Sequence, residues 1–254
     1  MRIVVITLFP EFVEQAVRFG VLGRAIERGV LTVEARNPRD FVDDPHRTVD
    51  DRPYGGGPGM VLKAEPLRRV IESVREMLPA AHRVYLAADG VPVTQTKIAE
   101  LASCTALVLV AGRYEGVDER FVKTQVDESL AVGDFVVSGG ELPALAVIDA
   151  IARLLPGTLG DAESAVYESF ANGLLDWPHY TRPDVWDGLA VPPELLGGNH
   201  AAIERWRRKQ ALGRTWQRRP ELLERRGLNA EERRLLDEYR AELEAPPQVT
   251  GTEP

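Results

Sequence analysis

The sequence has few residues of the types that form disulfides and metal sites. Cys104 is the single cysteine, so an intramolecular disulfide is excluded. The four histidines, at positions 46, 82, 179 and 200, are too widely spaced for a local set of zinc ligands. We therefore expect no structural metal and assign no residue as a metal ligand.

The sequence also lacks long apolar runs. No stretch approaches the roughly 20 apolar residues of a transmembrane helix, and residues 1–6 lack the small-residue cleavage site of a signal peptide. Hydrophobic residues make up 44% and charged residues 28% of the 254 positions, a globular composition that argues against disorder and fibrous repeats. We therefore expect a cytoplasmic protein with no membrane partner.

Charge is unevenly distributed along the chain. The net charge is −8, which by itself disfavours a nucleic-acid partner. Residues 205–226, however, hold nine basic and two acidic side chains, a local charge of +7 that leaves −15 on the remainder. A basic region on an acidic protein can still bind a phosphate backbone.

Short β-branched runs alternate with helical patterns over the first 155 or so residues. Strands are predicted at residues 3–9, 31–35, 84–88 and 107–111, with weaker ones at 129–132 and 135–137. Helices are predicted near residues 11–28, 65–78, 95–103, 118–123 and 141–155. Continuous apolar strands separated by helices predict an α/β fold with a mostly parallel sheet that is covered on both faces.

A change of pattern after Pro156-Gly157 predicts a second domain. We expect a first domain at residues 1–157, a flexible linker at 158–172 and a small helical domain at 173–254 with a frayed tail. Helical patterns cover residues 200–212 and 230–243. Asn229, with Glu232 three residues later, predicts a capping box at the start of the second of these helices.

Two groups of glycines indicate ligand binding. Residues 52–60 (RPYGGGPGM) place four glycines within five positions, which lets the backbone approach a phosphate or a flat ring, although neither a Walker A loop nor a dinucleotide-binding loop is present. Glycine turns at 112–116, 133–134 and 139–140 follow later strands, where α/β sheets form ligand clefts. The alternatives are a mobile surface loop and tight turns without a ligand.

Arginines alternate with tryptophans between residues 205 and 216. Basic side chains contact phosphates and tryptophan rings stack on unpaired bases, a combination more typical of RNA recognition than of duplex DNA recognition. The alternative is an amphipathic helix whose Trp206 and Leu212 face a core while the arginines are solvated. Both descriptions can hold for one helix.

Together, these motifs resemble those of the bacterial tRNA (guanine-N1)-methyltransferase family, which is TrmD-like and belongs to the SPOUT superfamily. They are DDRPYGGGPGM at 50–60, GRYEG at 112–116, GGELP at 139–143, GLLD at 173–176, PHYTRP at 178–183 and RRPELL at 218–223. The resemblance implies transfer of a methyl group from S-adenosylmethionine to N1 of guanosine 37, just 3′ of the tRNA anticodon. It also implies a homodimer and a sheet whose C-terminal part is tucked into a trefoil knot.

The resemblance also assigns residues to roles. Glu168 is implied as the general base, and Arg153 as the support of the target guanine. The implied cofactor-binding residues are Leu86, Gly112, Tyr114, Glu115, Val132, Gly133, Asp134, Phe135, Val136, Val137, Gly139, Gly140 and Pro143. Asp50 and Gly59 match positions that read the substrate. Our predicted RNA-binding set consists of these two residues and of the basic residues Arg182, Arg207, Arg208, Lys209, Arg214, Arg218 and Arg219. The family's activity is associated with Mg²⁺, for which we assign no site.

The residue types suit this reaction. Guanine N1 carries a proton, and a carboxylate within hydrogen-bond reach can remove it, while a guanidinium stabilises the negative charge that spreads toward O6. Glu168 stands where the family has aspartate, which keeps the carboxylate with one more methylene. The turn Ala87-Ala88-Asp89-Gly90 also departs from the family's Pro-Gln/Arg-Gly.

Two functions from different classes remain open. The first is the methyltransferase, and the second is a catalytically silent RNA-binding protein of the same fold in which the aspartate-to-glutamate change has ended turnover. A Rossmann-type methyltransferase or dehydrogenase is disfavoured, because Leu8-Phe9-Pro10 follows the first strand where a glycine loop is required.

Overall fold

The computed structural model describes residues 1–159 and 168–244. The chain forms two compact units, Met1–Ala162 and Glu163–Pro254. The tail from residue 245 and most of the expected linker lie outside the described residues. Residues 168–172, which we assigned to the linker, lie in the second unit, where the Arg226 Nε–H donates to the backbone oxygen of Asn172 at 2.8 Å.

A five-stranded parallel sheet forms the centre of the first unit. Its strand order is β2-β1-β6-β5-β7, and every neighbouring pair is parallel. The strands are β1 (Arg2–Ile6), β2 (Thr32–Arg36), β5 (His82–Pro92), β6 (Ala106–Ala111) and β7 (Glu128–Ala131); a separate antiparallel pair is formed by β3 (Asp50–Asp51) and β4 (Val61–Leu62). All six residues of β6 are buried, as expected for a central strand whose two faces are both covered.

Helices cover both faces of the sheet, as the sequence predicts. The helices are α1 (Pro10–Ala16), α2 (Gly20–Glu27), α3 (Ala64–Met77), α4 (Gln95–Ala102), α5 (Glu119–Gln125) and α6 (Glu141–Leu154), with a short 3₁₀ helix at Pro38–Phe41. Side chains of α1, α2, α4 and α6 share one hydrophobic cluster, and those of α3 and α5 share another. Because consecutive β6 residues point to opposite faces, Leu107 and Leu109 join the first cluster, whereas Val108 and Val110 join the second.

Two details of the sequence prediction are corrected. The single helix expected at 11–28 is two helices, because Phe19 is extended and Gly20 has a φ of +63°, which is left-handed and breaks the helix. The weak strand expected at 135–137 is not formed: these residues lie in the loop after β7, with Val136 87% exposed. The prediction of an α/β fold with a mostly parallel sheet is confirmed.

The second unit is mainly helical. It contains the hairpin β8 (Val185–Trp186) and β9 (Leu189–Ala190), followed by α7 (Pro193–Leu196), α8 (His200–Arg218), α9 (Pro220–Arg226) and α10 (Ala230–Glu244). Its core consists of Leu174, Ala211, Leu212, Leu223, Leu235 and Leu236. The predicted capping box of α10 is confirmed, since the Asn229 N–H donates to Glu232 Oε2 at 3.0 Å and the Glu232 N–H donates to Asn229 Oδ1 at 2.9 Å.

Within the described residues, none of the helices combines the length and the apolar character that crossing a membrane would require.

Candidate active site

The carboxyl ends of β5, β6 and β7 meet at one edge of the sheet because the three strands are parallel. The loops there enclose a cavity of about 410 Å³. The pairing of β5 with β7 changes register between Leu86 and Val91, which displaces residues 87–90 from the ladder, and residues 87–89 line the cavity. The site therefore uses strand ends, as ligand sites in α/β sheets generally do.

The residues implied for cofactor binding lie together around this cavity, with one exception. Asp134 does not line the cavity. The residues that do are Leu86, Gly112, Tyr114, Glu115, Val132, Gly133, Phe135, Val136, Val137, Gly139, Gly140 and Pro143.

Two of these glycines are required by close packing. A Cβ on Gly140 would lie 2.6 Å from Ala111 Cα and 3.0 Å from the Gly112 nitrogen. The Gly140 N–H donates to the Gly112 oxygen at 2.9 Å, so the two loops meet backbone to backbone. A Cβ on Gly112 would lie 2.9 Å from the Tyr85 ring. These turns need glycine for close approach, and Gly140 has an ordinary φ of −76°.

A partly buried ion pair connects the loop after β6 to the start of α6 beside the cavity. Arg113 Nε lies 2.9 Å from Glu141 Oε2, and Glu141 is only 1% exposed. The Thr7 hydroxyl donates to the other carboxylate oxygen of Glu141 at 2.7 Å. The Arg113 guanidinium also donates to the Ser138 oxygen at 3.2 Å and lies 4.5 Å from the centre of the Phe9 ring. Sequence reasoning missed this network, although the GRYEG and GGELP motifs contain both charged residues.

The charged side chains of the cavity lining are mainly acidic. Among the described residues, Asp89, Glu115 and Glu119 line it together with one basic residue, Arg113, which is paired with Glu141. Burial raises the pKa of the Tyr85 hydroxyl, and the charges of Asp89 and Glu119 raise it further. Carboxylates facing a cavity suit a ligand that carries positive charge. Tyr85 and Asp89 were absent from our predicted set, and Asp89 lies in the turn that departs from the family pattern.

The glycine-rich loop lies next to the turn at 112–116. Gly55, Gly56, Gly57 and Gly59 all have positive φ values, and a Cβ on Gly59 would collide with the Glu115 side chain. The Glu115 N–H donates to the Met60 oxygen at 2.9 Å. The loop predicted to bind a ligand is therefore in contact with the rim of the cavity.

Asp50 and Arg153 are placed on elements of the first unit outside the cavity lining. Asp50 lies in β3, where it pairs with Leu62 of β4. Arg153 lies in the last turn of α6 and is half-buried. Neither residue lines the cavity, and their predicted roles toward the guanine stay predictions.

Three of the six arginine and lysine side chains of α8 form ion pairs within the described part of the second unit. Arg205 is paired with Glu238, Arg208 with Glu232 and Lys209 with Glu242, and Lys209 is only 7% exposed. The predicted RNA-binding residues therefore differ in how much charge they offer to solvent.

The other basic residues of the predicted set differ in the same way. Arg219 pairs with Glu221, and Arg214 donates to the Asp176 oxygen at 3.2 Å. Arg182 and Arg218 are exposed.

Glu168 lies at the beginning of the described part of the second unit. It lines a small cavity together with Asp176, Glu204 and Arg208. The Ala171 N–H donates to its backbone oxygen at 3.2 Å. Among the described residues, no cluster of three or more His, Cys, Asp or Glu side chains is arranged to hold a metal ion.

Comparison with known proteins decides the family. The family described as tRNA (Guanine-1)-methyltransferase TrmD matches residues 1–225. The chain belongs to this family. Proteins named tRNA (guanine-N(1)-)-methyltransferase from Alcanivorax borkumensis and Halorhodospira halophila are 57% and 56% identical to it, over 94% and 96% of the chain and 93% of each relative. The protein of that name from Chromohalobacter salexigens is 55% identical over the whole chain and 97% of its own length.

The family resemblance drawn from the motifs is thus confirmed. In this TrmD family member, the cavity brings together three separate segments that contain the residues implied by the motifs for S-adenosylmethionine binding. Those segments, at residues 86, 112–115 and 132–143, meet only in the folded chain.

Proposed function

We propose that this protein is an S-adenosylmethionine-dependent methyltransferase that modifies N1 of the guanosine 3′ of the anticodon in tRNA. The observation that carries the proposal is the single cavity of about 410 Å³ lined by every implied cofactor residue except Asp134. The membership in the TrmD family and the identities of about 55% to proteins named tRNA (guanine-N(1)-)-methyltransferase support it.

The lining of the cavity fits S-adenosylmethionine. The glycine turns expose main-chain N–H and C=O groups that can hydrogen-bond an adenine edge, and the side chains of Leu86 and Val132 provide apolar contacts. Asp89, Glu115 and Glu119 provide negative charge for the sulfonium and ammonium groups of this cofactor. The bound cofactor supplies an activated methyl group whose sulfur leaves as a neutral thioether, so the protein does not need to protonate a leaving group.

We further propose that the segment through β6, β7 and α6 forms the trefoil knot of the family.

The protein's part of the chemistry is positioning and proton removal. In this proposal the Glu168 carboxylate accepts the proton of guanine N1, which makes the nitrogen nucleophilic. The Arg153 guanidinium stabilises the charge that moves to O6. Alignment of N1 with the methyl carbon supplies the rest of the acceleration.

We propose that the active site is completed in a homodimer, with Glu168 of one subunit serving the cofactor cavity of the other. Mixing two inactive chains tests this arrangement: Glu168→Gln, and a cofactor-cavity variant such as Gly140→Val. Heterodimers should regain part of the activity, since one of their two sites is intact. Full activity of a monomer at working concentration would contradict the two-chain site.

Transfer of a labelled methyl group to unmodified tRNA is the direct test of the function. Incorporation should be confined to substrates with guanosine at the target position and should stop when that guanosine is replaced by adenosine. The second candidate, a silent RNA-binding protein, rests on the presence of Glu168 where the family has aspartate. It predicts tRNA binding without incorporation of label.

A further inference from the structure

The second unit contains an aromatic cavity, and among its described lining residues Arg207 alone belongs to the predicted RNA-binding set. Its volume is about 230 Å³, and we call it the Trp206 cavity. Trp206, 6% exposed, forms part of its lining, and the Tyr180 ring, whose residue is 49% exposed, meets it edge to face with ring centres 6.2 Å apart. The remaining lining residues are Trp177, Pro178, His179, Leu195, Ile203 and Arg207. Four aromatic side chains therefore line this space.

Arg207 differs from the neighbouring basic residues of α8. Arg205, Arg208 and Lys209 each form an ion pair with a glutamate. Arg207 has neither a hydrogen bond nor an ion pair within the described part of the chain, and its guanidinium carbon lies 5.0 Å from the centre of the Trp177 ring. Its buried Nε atom is without a hydrogen-bond partner. Its charge is thus held on an aromatic face beside the cavity and is not neutralised by a carboxylate.

His179 is oriented at the edge of the same cavity. Its Nε2 atom lies 2.8 Å from Asp176 Oδ2, which fixes the ring and leaves Nδ1 for another partner. The ring centre lies 5.7 Å from that of Trp177. The cavity thus combines flat apolar surfaces with oriented polar groups at its edge.

We propose that the Trp206 cavity binds one unpaired nucleobase of the tRNA substrate, with Tyr180 as its stacking platform and Arg207 as a donor to its acceptor atoms. A nucleobase is the ligand class that presents both a π face and a rim of hydrogen-bond acceptors. Arginine is suited to both surfaces, because its planar guanidinium stacks on rings and donates to base edges. The proposal rests on the proposed function, since it specifies where the second unit contacts the RNA.

Binding of the full-length protein to unmodified tRNA transcripts tests the site. Tyr180→Ala should weaken binding about fivefold or more, because one base–aromatic stack is lost, whereas Tyr180→Phe, which keeps the ring, should bind within about twofold of wild type. The salt dependence of binding should be unchanged in Tyr180→Ala, since no charge is removed. Trp186→Ala is the matched control: Trp186 is 69% exposed on the β8–β9 hairpin and does not line the cavity.

An abasic scan identifies the base. Transcripts that each lack one base of the anticodon loop are bound to wild type, Tyr180→Ala and Arg207→Gln. At one position, loss of the base should weaken binding by the wild-type protein. With that abasic transcript, wild type and both variants should bind with the same affinity. Wild-type affinity in both variants would overturn the proposal. A weakening of Arg207→Gln that no abasic position cancels, together with a salt slope lower by about 0.7 to 0.9, would overturn it in favour of a phosphate contact.

The outcome is separable from that of the proposed function. Methyl transfer by the wild-type protein establishes the function independently of this cavity. If the wild type methylates tRNA and every variant binds normally, the cavity is not a base site. If no methylation occurs, the abasic scan still tests base binding.

Discussion

Arg113 forms an ion pair with the buried carboxylate of Glu141, with 2.9 Å between Nε and Oε2. Arg113 lies in the loop after β6, and Glu141 is the first residue of α6. Thr7, at the end of β1, donates to the same carboxylate at 2.7 Å. The Glu141 side chain therefore links three segments that are distant in sequence and meet beside the cavity.

Replacement of this carboxylate should affect both stability and cofactor binding. Glu141→Gln removes the buried carboxylate that pairs with the partly exposed Arg113, which should cost about 2–3 kcal/mol of stability. The affinity for S-adenosylmethionine should also fall, because the loops at Gly112 and Gly139 lose their common support. Denaturant unfolding and titration calorimetry measure the two effects. Glu65→Gln, which removes an exposed ion-paired carboxylate of α3, should change neither the stability nor the affinity. Normal S-adenosylmethionine affinity in a folded Glu141→Gln protein would refute the role of Glu141 in supporting the cavity.

Gly140 should be intolerant of any side chain. In Gly140→Ala the new Cβ would lie 2.6 Å from Ala111 Cα, and because the neighbour is backbone, the loop must shift. We expect S-adenosylmethionine affinity to drop at least tenfold, which corresponds to about 1.4 kcal/mol. The control is Gly197→Ala, where φ is −80° and the nearest atom is 3.8 Å from the new Cβ. If the two variants bound S-adenosylmethionine with equal affinity, the contact between Gly140 and Ala111 would not be needed for cofactor binding.

Glu168 should act through its ability to accept a proton. Glu168→Gln keeps the shape but cannot take the proton, so turnover should fall by about two or more orders of magnitude, with cofactor and tRNA affinities almost unchanged. Glu168→Asp should retain substantial activity, because the acceptor group survives. Single-turnover methylation with both substrates saturating is the measurement. If Glu168→Gln proved nearly as fast as wild type, Asp176 would be the next carboxylate to replace.

The basic residues of α8 should contribute unequally to tRNA binding. Arg218 is exposed and forms no ion pair within the described residues, so Arg218→Gln should lower the salt slope of binding by about 0.7 to 0.9. Lys209 is buried and paired with Glu242; Lys209→Gln should leave the slope unchanged and destabilise the second unit. Affinities measured across a series of salt concentrations distinguish the two. The reverse ranking would show that the Lys209 pair opens when RNA binds.

Glu232 should make the second unit sensitive to acid. Hydrogen bonds from Arg226 lower the pKa of this carboxyl from 4.5 to about 2, and Arg208 contributes. Because the folded-state pKa is depressed, the stabilisation is complete above pH 4.5 and is lost as the pH falls toward 2. All four tryptophans lie in the second unit, so tryptophan fluorescence reports its unfolding selectively. Glu232→Gln should be less stable at pH 7 by about 2–3 kcal/mol, with a flatter acid profile; its exposed neighbour variant Glu231→Gln should keep the steep profile.

Much of the first unit could be predicted from sequence because its signals are local. The β-branched runs predicted the positions of β1, β2, β5 and β6, although β1 ends at Ile6 rather than at residue 9 and β5 extends to Pro92 rather than to residue 88. The Asn229–Glu232 spacing predicted its capping box. The register change between Leu86 and Val91 could not be predicted, since it depends on how β5 pairs with β7.

The second unit shows the same limit. The alternation of arginine and tryptophan indicated an RNA-binding helix, yet it did not reveal which charges are neutralised. The partners of Arg208 and Lys209, at positions 232 and 242, lie on α10. Pairing between helices depends on tertiary packing, which a linear charge count does not contain.

The strand order has a consequence for synthesis of the chain. β1 lies between β2 and β6, and Arg2 pairs with Ala106. A growing chain can therefore form the β1–β2 pair early, but the other edge of β1 has no strand partner until β6 has left the ribosome. Edges of apolar parallel strands are prone to association with other chains, and long-range pairing of this kind folds slowly. We therefore expect β1 to be most exposed to association with other chains in the interval between the synthesis of β2 and that of β6.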